Sequence, residues 1–314
     1  MMPWRSDYEE ELAVVFEEAE RLIAAYPAPL NAKGQAYLQA FNPLAPSSAK
    51  NHICYLLPFW TAPVTALSAE HYRALSLGNV FVMLYFFIQD DLMDDAPADL
   101  KEQLALGNLF HLSMLDIYRS MFEHSSPFWH YYNEYVRNWS LAVAYEHPMG
   151  SLDPARLASK AAPVKLASTG ALLLAGKPEL ESEVSRAVDL VLGTLQFSDD
   201  WSDWEEDFEL KNANSLIGMI HAESTDQSTP LSKEDVKNAL YIGDALTRFA
   251  ELAAANGHLL DELRVRLPHL SAFQAHLAMQ LAAGADKLMH NKRLLLQGGF
   301  SYWIETNFNS VERK

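Results

Sequence analysis

Nine uncharged residues, Phe81-Val-Met-Leu-Tyr-Phe-Phe-Ile-Gln89, run directly into Asp90-Asp91-Leu-Met-Asp94-Asp95. A stretch that apolar belongs inside a protein and the carboxylates after it do not, so their boundary marks where a helix leaves the interior. Residues three and four apart share a helix face, which aligns Asp90 with Asp94, and Asp91 with both Asp94 and Asp95. Like charges ~6 Å apart repel by roughly 0.7 kcal/mol per pair in water, and several-fold more where the dielectric falls. The negative end of the helix dipole adds to that repulsion. A divalent cation relieves it, and an all-oxygen donor set suits Mg²⁺. Taken alone, such a run in a chain with 41 acidic residues also reads as a solvated helix end.

A second stretch of the same kind changes the balance. Ala187-Val-Asp-Leu-Val-Leu192 leads into Thr194-Leu-Gln-Phe-Ser-Asp199-Asp200-Trp-Ser-Asp203-Trp-Glu-Glu-Asp207. Asp199, Asp203 and Asp207 fall at i, i+4 and i+8, on one helical face. Two acidic clusters, each emerging from a buried-looking helix, point to metal sites. The candidate ligands are Asp90, Asp91, Asp94 and Asp95 in the first cluster, and Asp199, Asp200, Asp203 and Asp207 in the second.

The rest of the composition narrows the partners. A formal net charge of −17 without a cluster of Lys and Arg argues against nucleic acid, because neutralising phosphates requires such a cluster. An anionic substrate would therefore arrive with metal ions. The single cysteine, Cys54, excludes an internal disulfide and fits a reducing compartment. The acidic N-terminus has no apolar signal core, and no stretch approaches the roughly 18–20 uninterrupted apolar residues of a membrane span. Both point to a cytoplasmic protein without a span. The 11 histidines show no metal-ligand spacing, and no Gly-rich phosphate loop or Ser-His-Asp signature appears.

Helical periodicity dominates, with no strand alternation. Residues 7–26 place Leu12, Val15, Phe16, Ala19, Leu22 and Ile23 on one face. Residues 27–50 are broken by prolines around a short helix. A long helix starts at Ser68 and ends near Asp95, ahead of Pro97. Helices follow near 99–123 and 126–146, then 154–176, which Pro163 and Gly170 should weaken or kink. The second acidic helix spans about 179–209, followed by a short helix near 212–222. Ser232-Lys-Glu-Asp235 resembles a capping box opening a helix to about 256, and helices near 269–296 and 300–309 finish the chain. With no repeat and no long linker, the expectation is one all-α domain over 1–314. Short connections favour antiparallel neighbours, so the first and fifth helices of this series would run the same way and open their acidic ends at one mouth.

These residues resemble the class I isoprenoid synthases, which comprise terpene cyclases, chain-elongating prenyltransferases and the squalene/phytoene synthase branch. Asp90-Asp91-Leu-Met-Asp94-Asp95 is similar to their first aspartate-rich motif. Gln196-Phe-Ser-Asp199-Asp200-Trp-Ser-Asp203 resembles the second motif of elongating enzymes, and Asp203-Trp-Glu-Glu-Asp207 that of the phytoene branch. Against the cyclase triad, the ligand positions fall on Asp199, Asp203 and Asp207. The resemblance covers about residues 60–225. It implies an all-α antiparallel bundle around a central active-site cavity, three Mg²⁺ ions and a prenyl diphosphate substrate, and a homodimer as in many relatives. Ionisation leaves negative charge on diphosphate, which metal stabilises, and positive charge on hydrocarbon, which aromatic faces stabilise.

The branch is read from the basic residues. Elongating enzymes carry a basic pair soon after the first motif, where this chain has Ala96-Pro-Ala-Asp99-Leu-Lys101, and Lys33 and Lys50 stand isolated. That favours one diphosphate substrate and hence a terpene synthase. The alternatives are a prenyltransferase, by head-to-head condensation or chain elongation, and a non-catalytic partner subunit. Lys165, between Pro163 and Gly170, resembles the diphosphate-contacting residue at the helix break, with Arg156 or Lys160 as substitutes. Lys211 and Arg293 are weaker substrate-binding candidates. Phe86, Phe197 and Trp201 are the aromatics assigned to substrate. Phe81, Tyr85, Trp204, Trp129, Tyr131, Tyr132, Tyr135 and Trp139 read first as core.

Overall fold

The computed structural model describes residues 2–46, 48–49, 51–94, 97–145, 150–224 and 227–308. The helices match the sequence expectation at most boundaries, and no strand occurs among the described residues. Contacts gather into two compact units, each assembled from segments far apart in sequence. Unit 1 comprises Met1–Ala144, Ser159–Val188 and Leu263–Ala272, and unit 2 comprises Tyr145–Ala158, Asp189–Glu262 and Phe273–Lys314.

Unit 1 is built on the first acidic helix, Ala69–Asp94, which packs against Glu9–Ala24, His52–Trp60, Leu100–Met121 and Leu166–Leu174. Ala69–Met93 is long and apolar enough to cross a membrane by composition, but most of it is buried inside the protein. Its apolarity is that of a core helix. The helix His52–Trp60, absent from the sequence reading, is buried on every side from Ile53 to Trp60. A continuous apolar run shows no 3.6-residue periodicity, and Pro58 within it argues locally against a helix.

The expected helix over 154–176 is three pieces: Pro154–Ser159, a 3₁₀ turn at Ala162–Lys165, and Leu166–Leu174. The break falls at Pro163. In unit 1, buried Asn79 of the first acidic helix donates to the Val164 carbonyl at 2.9 Å and accepts from the Tyr118 hydroxyl at 3.0 Å. Gly170 makes no break. It lies inside Leu166–Leu174, where a Cβ would fall 2.8 Å from Leu75 and 3.2 Å from Phe122. Its small size serves close packing.

Unit 2 has its own core, including Leu157, Phe197, Trp204, Leu216, Phe249 and Leu281. The second acidic helix, Glu181–Leu210, supplies Phe197 and Trp204 to it. Ser232 and Asp235 form the expected capping box, but the helix they open is interrupted. Lys233–Lys237 passes into a π turn at Asn238–Ile242, and a new helix, Ala245–Glu262, follows. The last two helices, expected near 269–296 and 300–309, form Pro268–Phe308 with non-helical backbone at Gly299, whose positive φ of 67° suits a residue without Cβ.

Candidate functional site

The first acidic stretch ends its helix as expected. Asp90 and Asp91 are solvent-exposed, while the Asp94 side chain and all of Asp95 lie outside the described residues. The Tyr37 hydroxyl, from the helix Leu30–Phe41, donates to Asp91 Oδ2 at 3.0 Å. Burial, and then the negative charges of Asp91 and Asp90, hold that phenol protonated far above its ordinary range. One turn earlier on the same helix, Lys33 Nζ lies 2.7 Å from Asp99 and 2.5 Å from Glu102. Lys33 is therefore paired with two carboxylates. Neither contact was legible in sequence, since Tyr37 and Asp91 are 54 positions apart.

The second stretch divides by helical face. Asp199 and Asp203 reach solvent, and Asp207 is half-buried. Asp200, expected among the metal ligands, is only 3% exposed. Its Oδ1 accepts from Gln196 Nε2 and its Oδ2 from the Ser215 backbone N–H, both at 2.8 Å. Asp200 thus anchors the N-terminus of the helix Ser215–Glu223, a task helix dipoles favour for an anion. Asn214 completes the joint. Its Oδ1 caps Leu216 and Ile217 N–H, while its Nδ2 donates to the Asp200 carbonyl and to Asp207 Oδ2, each at 2.8 Å. Sequence reasoning missed Asn214, although an Asn just before the apolar run Leu216-Ile217 is a cap signal.

Asp199 keeps an exposed surface, yet protein crowds its carboxyl. That desolvation, then the charges of Asp200 and Asp203, push its pKa from 3.8 up to about 7. Burial and Asp207 also raise Asp203. Among the described residues no three His, Cys, Asp or Glu side chains converge into a formed metal cage. The exposed donors are nonetheless all carboxylate oxygens under mutual repulsion, which fits a hard cation held partly by substrate oxygens.

A pH test follows. The folded state holds the Asp199 proton more tightly than the unfolded chain, so stability linked to this group falls as pH rises from 3.8 towards about 7. Asp199→Asn is expected to raise the melting temperature of metal-free protein at pH 8 and to leave it nearly unchanged at pH 4. Calorimetry in a chelator reads this, and equal shifts at both pH values would contradict it.

The basic candidates separate. In unit 1, Lys165 is 7% exposed, with Nζ 5.0 Å from the Tyr135 ring centroid. The Tyr135 hydroxyl in turn bonds Thr169 at 2.8 Å and Glu181 at 2.6 Å. In unit 2, Arg156 and Arg293 are exposed. The helix bearing Arg156 lies close on the second acidic helix, where a Cβ on Gly193 would sit 3.0 Å from Pro154 Cα. Lys211 is exposed in a left-handed conformation, φ 62°, just past the end of Glu181–Leu210, and the Asn212 N–H reaches back to the Asp207 carbonyl at 2.9 Å. This helix ending favours glycine. Lys211→Gly is expected to stabilise the protein by about 1 kcal/mol in urea unfolding by removing the left-handed penalty; a loss of stability would reject that strain.

Among the assigned aromatics, Phe86 is buried edge-on against Trp139, with ring centroids 4.8 Å apart. Phe197 is buried against Phe249 at 4.6 Å and belongs to the unit 2 core. Trp201 is half-buried beside Gly284, where a Cβ would lie 3.3 Å from the indole nitrogen. Of the three, Trp201 is the least buried, although it shares a helix face with Phe197 and Trp204 and packs against the same unit 2 core.

No protein-family model matches the sequence. No curated protein matches it either. The structure is similar to that of a geranylgeranyl pyrophosphate synthase from Lactobacillus brevis, with a TM-score of 0.60 and 16% sequence identity, over 88% of this chain and 96% of that one.

Proposed function

Because the chain has the all-α isoprenoid synthase fold, we propose that it is a Mg²⁺-dependent enzyme that ionises an allylic prenyl diphosphate, and that it acts as a prenyltransferase. The observation that carries the reading is that both acidic stretches end their helices with exposed carboxylates, Asp91 in one and Asp199 and Asp203 in the other, on a fold similar to that of a geranylgeranyl pyrophosphate synthase. Bound Mg²⁺ would supply Lewis acidity for departure of diphosphate. The chain's own residues would hold the ions, with Asp90, Asp91, Asp199, Asp203 and Asp207 as candidate ligands, and a charge-assisted donor would assist the leaving group. Lys165 is the first candidate for that donor and Arg156 the second. The fold neighbour supports transfer better than the cyclisation expected from the basic residues.

Cyclisation stays as the second reading on one observation. The position after the first acidic stretch carries Asp99, and the nearby Lys33 is occupied by Asp99 and Glu102, which leaves little positive charge for a second diphosphate. Incubation with geranyl, farnesyl or geranylgeranyl diphosphate, each with and without isopentenyl diphosphate, separates the readings. A longer prenyl diphosphate formed only with isopentenyl diphosphate supports elongation, and a dimeric hydrocarbon supports head-to-head condensation. A hydrocarbon or alcohol from one substrate alone supports cyclisation. No product from any of them would point to a partner subunit.

A further inference from the structure

The helix Leu30–Phe41 sends out two side chains one turn apart, one to the end of the first acidic helix and one to the start of the helix that follows it. Tyr37 reaches Asp91, at the end of Ala69–Asp94, and Lys33 reaches Asp99 and Glu102, at the start of Leu100–Met121. We propose that Tyr37 is a positioning residue that aims the Asp91 carboxylate, binding one oxygen so that the other is presented to metal. The proposal rests on the metal-dependent reading above.

Three features of the geometry support it. First, the hydrogen bond is one-sided: the hydroxyl donates to Oδ2 at 3.0 Å, and among the described residues no hydrogen bond engages Oδ1 of the exposed Asp91. Second, the donor is rigid. The Tyr37 ring stacks on Phe110 at 5.9 Å with an interplanar angle of 28° and meets the edge of Phe41 at 5.2 Å. Phe41 in turn packs on Phe87 at 5.4 Å, four residues before Asp91 on its helix. An aromatic run thus ties the donor to the helix that carries its acceptor. Third, the Lys33 pairs fasten the same short helix beyond the connection. Each is weak alone, because all three side chains are more than a third exposed, but they need only limit sliding of Leu30–Phe41.

An exposed aspartate near a helix end has several rotamers open to it, and a phenol that holds one of them lowers the entropy lost when metal binds. Neutral Tyr can do this without competing for the cation, whereas Lys or Arg at the same place would neutralise the ligand. Outer-shell partners of this kind commonly contribute 10–100-fold to metal affinity or activity.

Tyr37→Phe removes the hydroxyl and keeps the ring. Binding of Mn²⁺ in the presence of inorganic diphosphate, followed by electron paramagnetic resonance, is expected to weaken about tenfold, with an unchanged melting temperature in chelator. Adding Tyr37→Phe to Asp91→Asn is expected to change nothing further, since the hydroxyl acts through Asp91. A merely structural tyrosine would weaken binding equally in both backgrounds, and that result overturns the proposal. Unaltered binding in Tyr37→Phe, with Asp91→Asn weakened, also overturns it and leaves the proposed function standing. If Asp91→Asn binds Mn²⁺ and diphosphate like the wild type, both fail.

Discussion

Asp91→Asn and Asp203→Asn are each expected to lower kcat/KM by roughly 10²–10³-fold, the loss typical when one preorganised charge-stabilising group is removed. The folded protein should not suffer. Both carboxylates reach solvent, and Asp203 is repelled by Asp207, which together with burial raises its pKa. Substituting a neutral amide removes that repulsion, so the metal-free variants should melt at or slightly above the wild-type temperature. Steady-state kinetics over a Mg²⁺ series, paired with thermal unfolding in chelator, checks both halves. Activity near wild type in both variants would remove the metal-site reading. A fall in activity matched by a fall in melting temperature would make these residues structural.

The opposite outcome is expected three positions earlier. Asp200→Ala should destabilise the protein by about 3 kcal/mol, because it strands the Ser215 N–H in a buried setting and removes a charged acceptor from Gln196. It also takes an anion from the N-terminus of Ser215–Glu223. For a chain of this size that is a fall of roughly 6–10 °C in melting temperature. Asp200→Asn, which retains an acceptor for Ser215, should fall less. Urea unfolding of the two variants gives the comparison. If Asp200→Ala is as stable as wild type while its Mn²⁺ binding is lost, Asp200 is a metal ligand and its bond to Ser215 is incidental.

These paired outcomes separate what was legible from what was not. In sequence Asp199, Asp200 and Asp203 are all candidate ligands, although Asp200 lies off the face that Asp199, Asp203 and Asp207 share. Their roles differ because a helix rotates about 100° per residue, and one of its faces is covered by Ser215–Glu223. Which face is covered is a property of unit 2 packing, not of the local sequence.

Local chemistry alone determined much of the rest. The Ser232–Asp235 capping box, the end of the first acidic helix at Asp94 and the non-helical Gly299 all depend on groups within a few residues of one another. So does the position of each acidic stretch at the end of an apolar helix. The tertiary structure decided whatever depends on partners far along the chain. It made His52–Trp60 a helix despite Pro58, because burial on every side outweighs local preference. It set Asn79 on the buried Val164 carbonyl, drew Lys165 to the face of Tyr135, and brought Tyr37 to Asp91. A sequence records which side chains can make such contacts; only the packing of helices brings them within the ~3 Å over which a hydrogen bond acts.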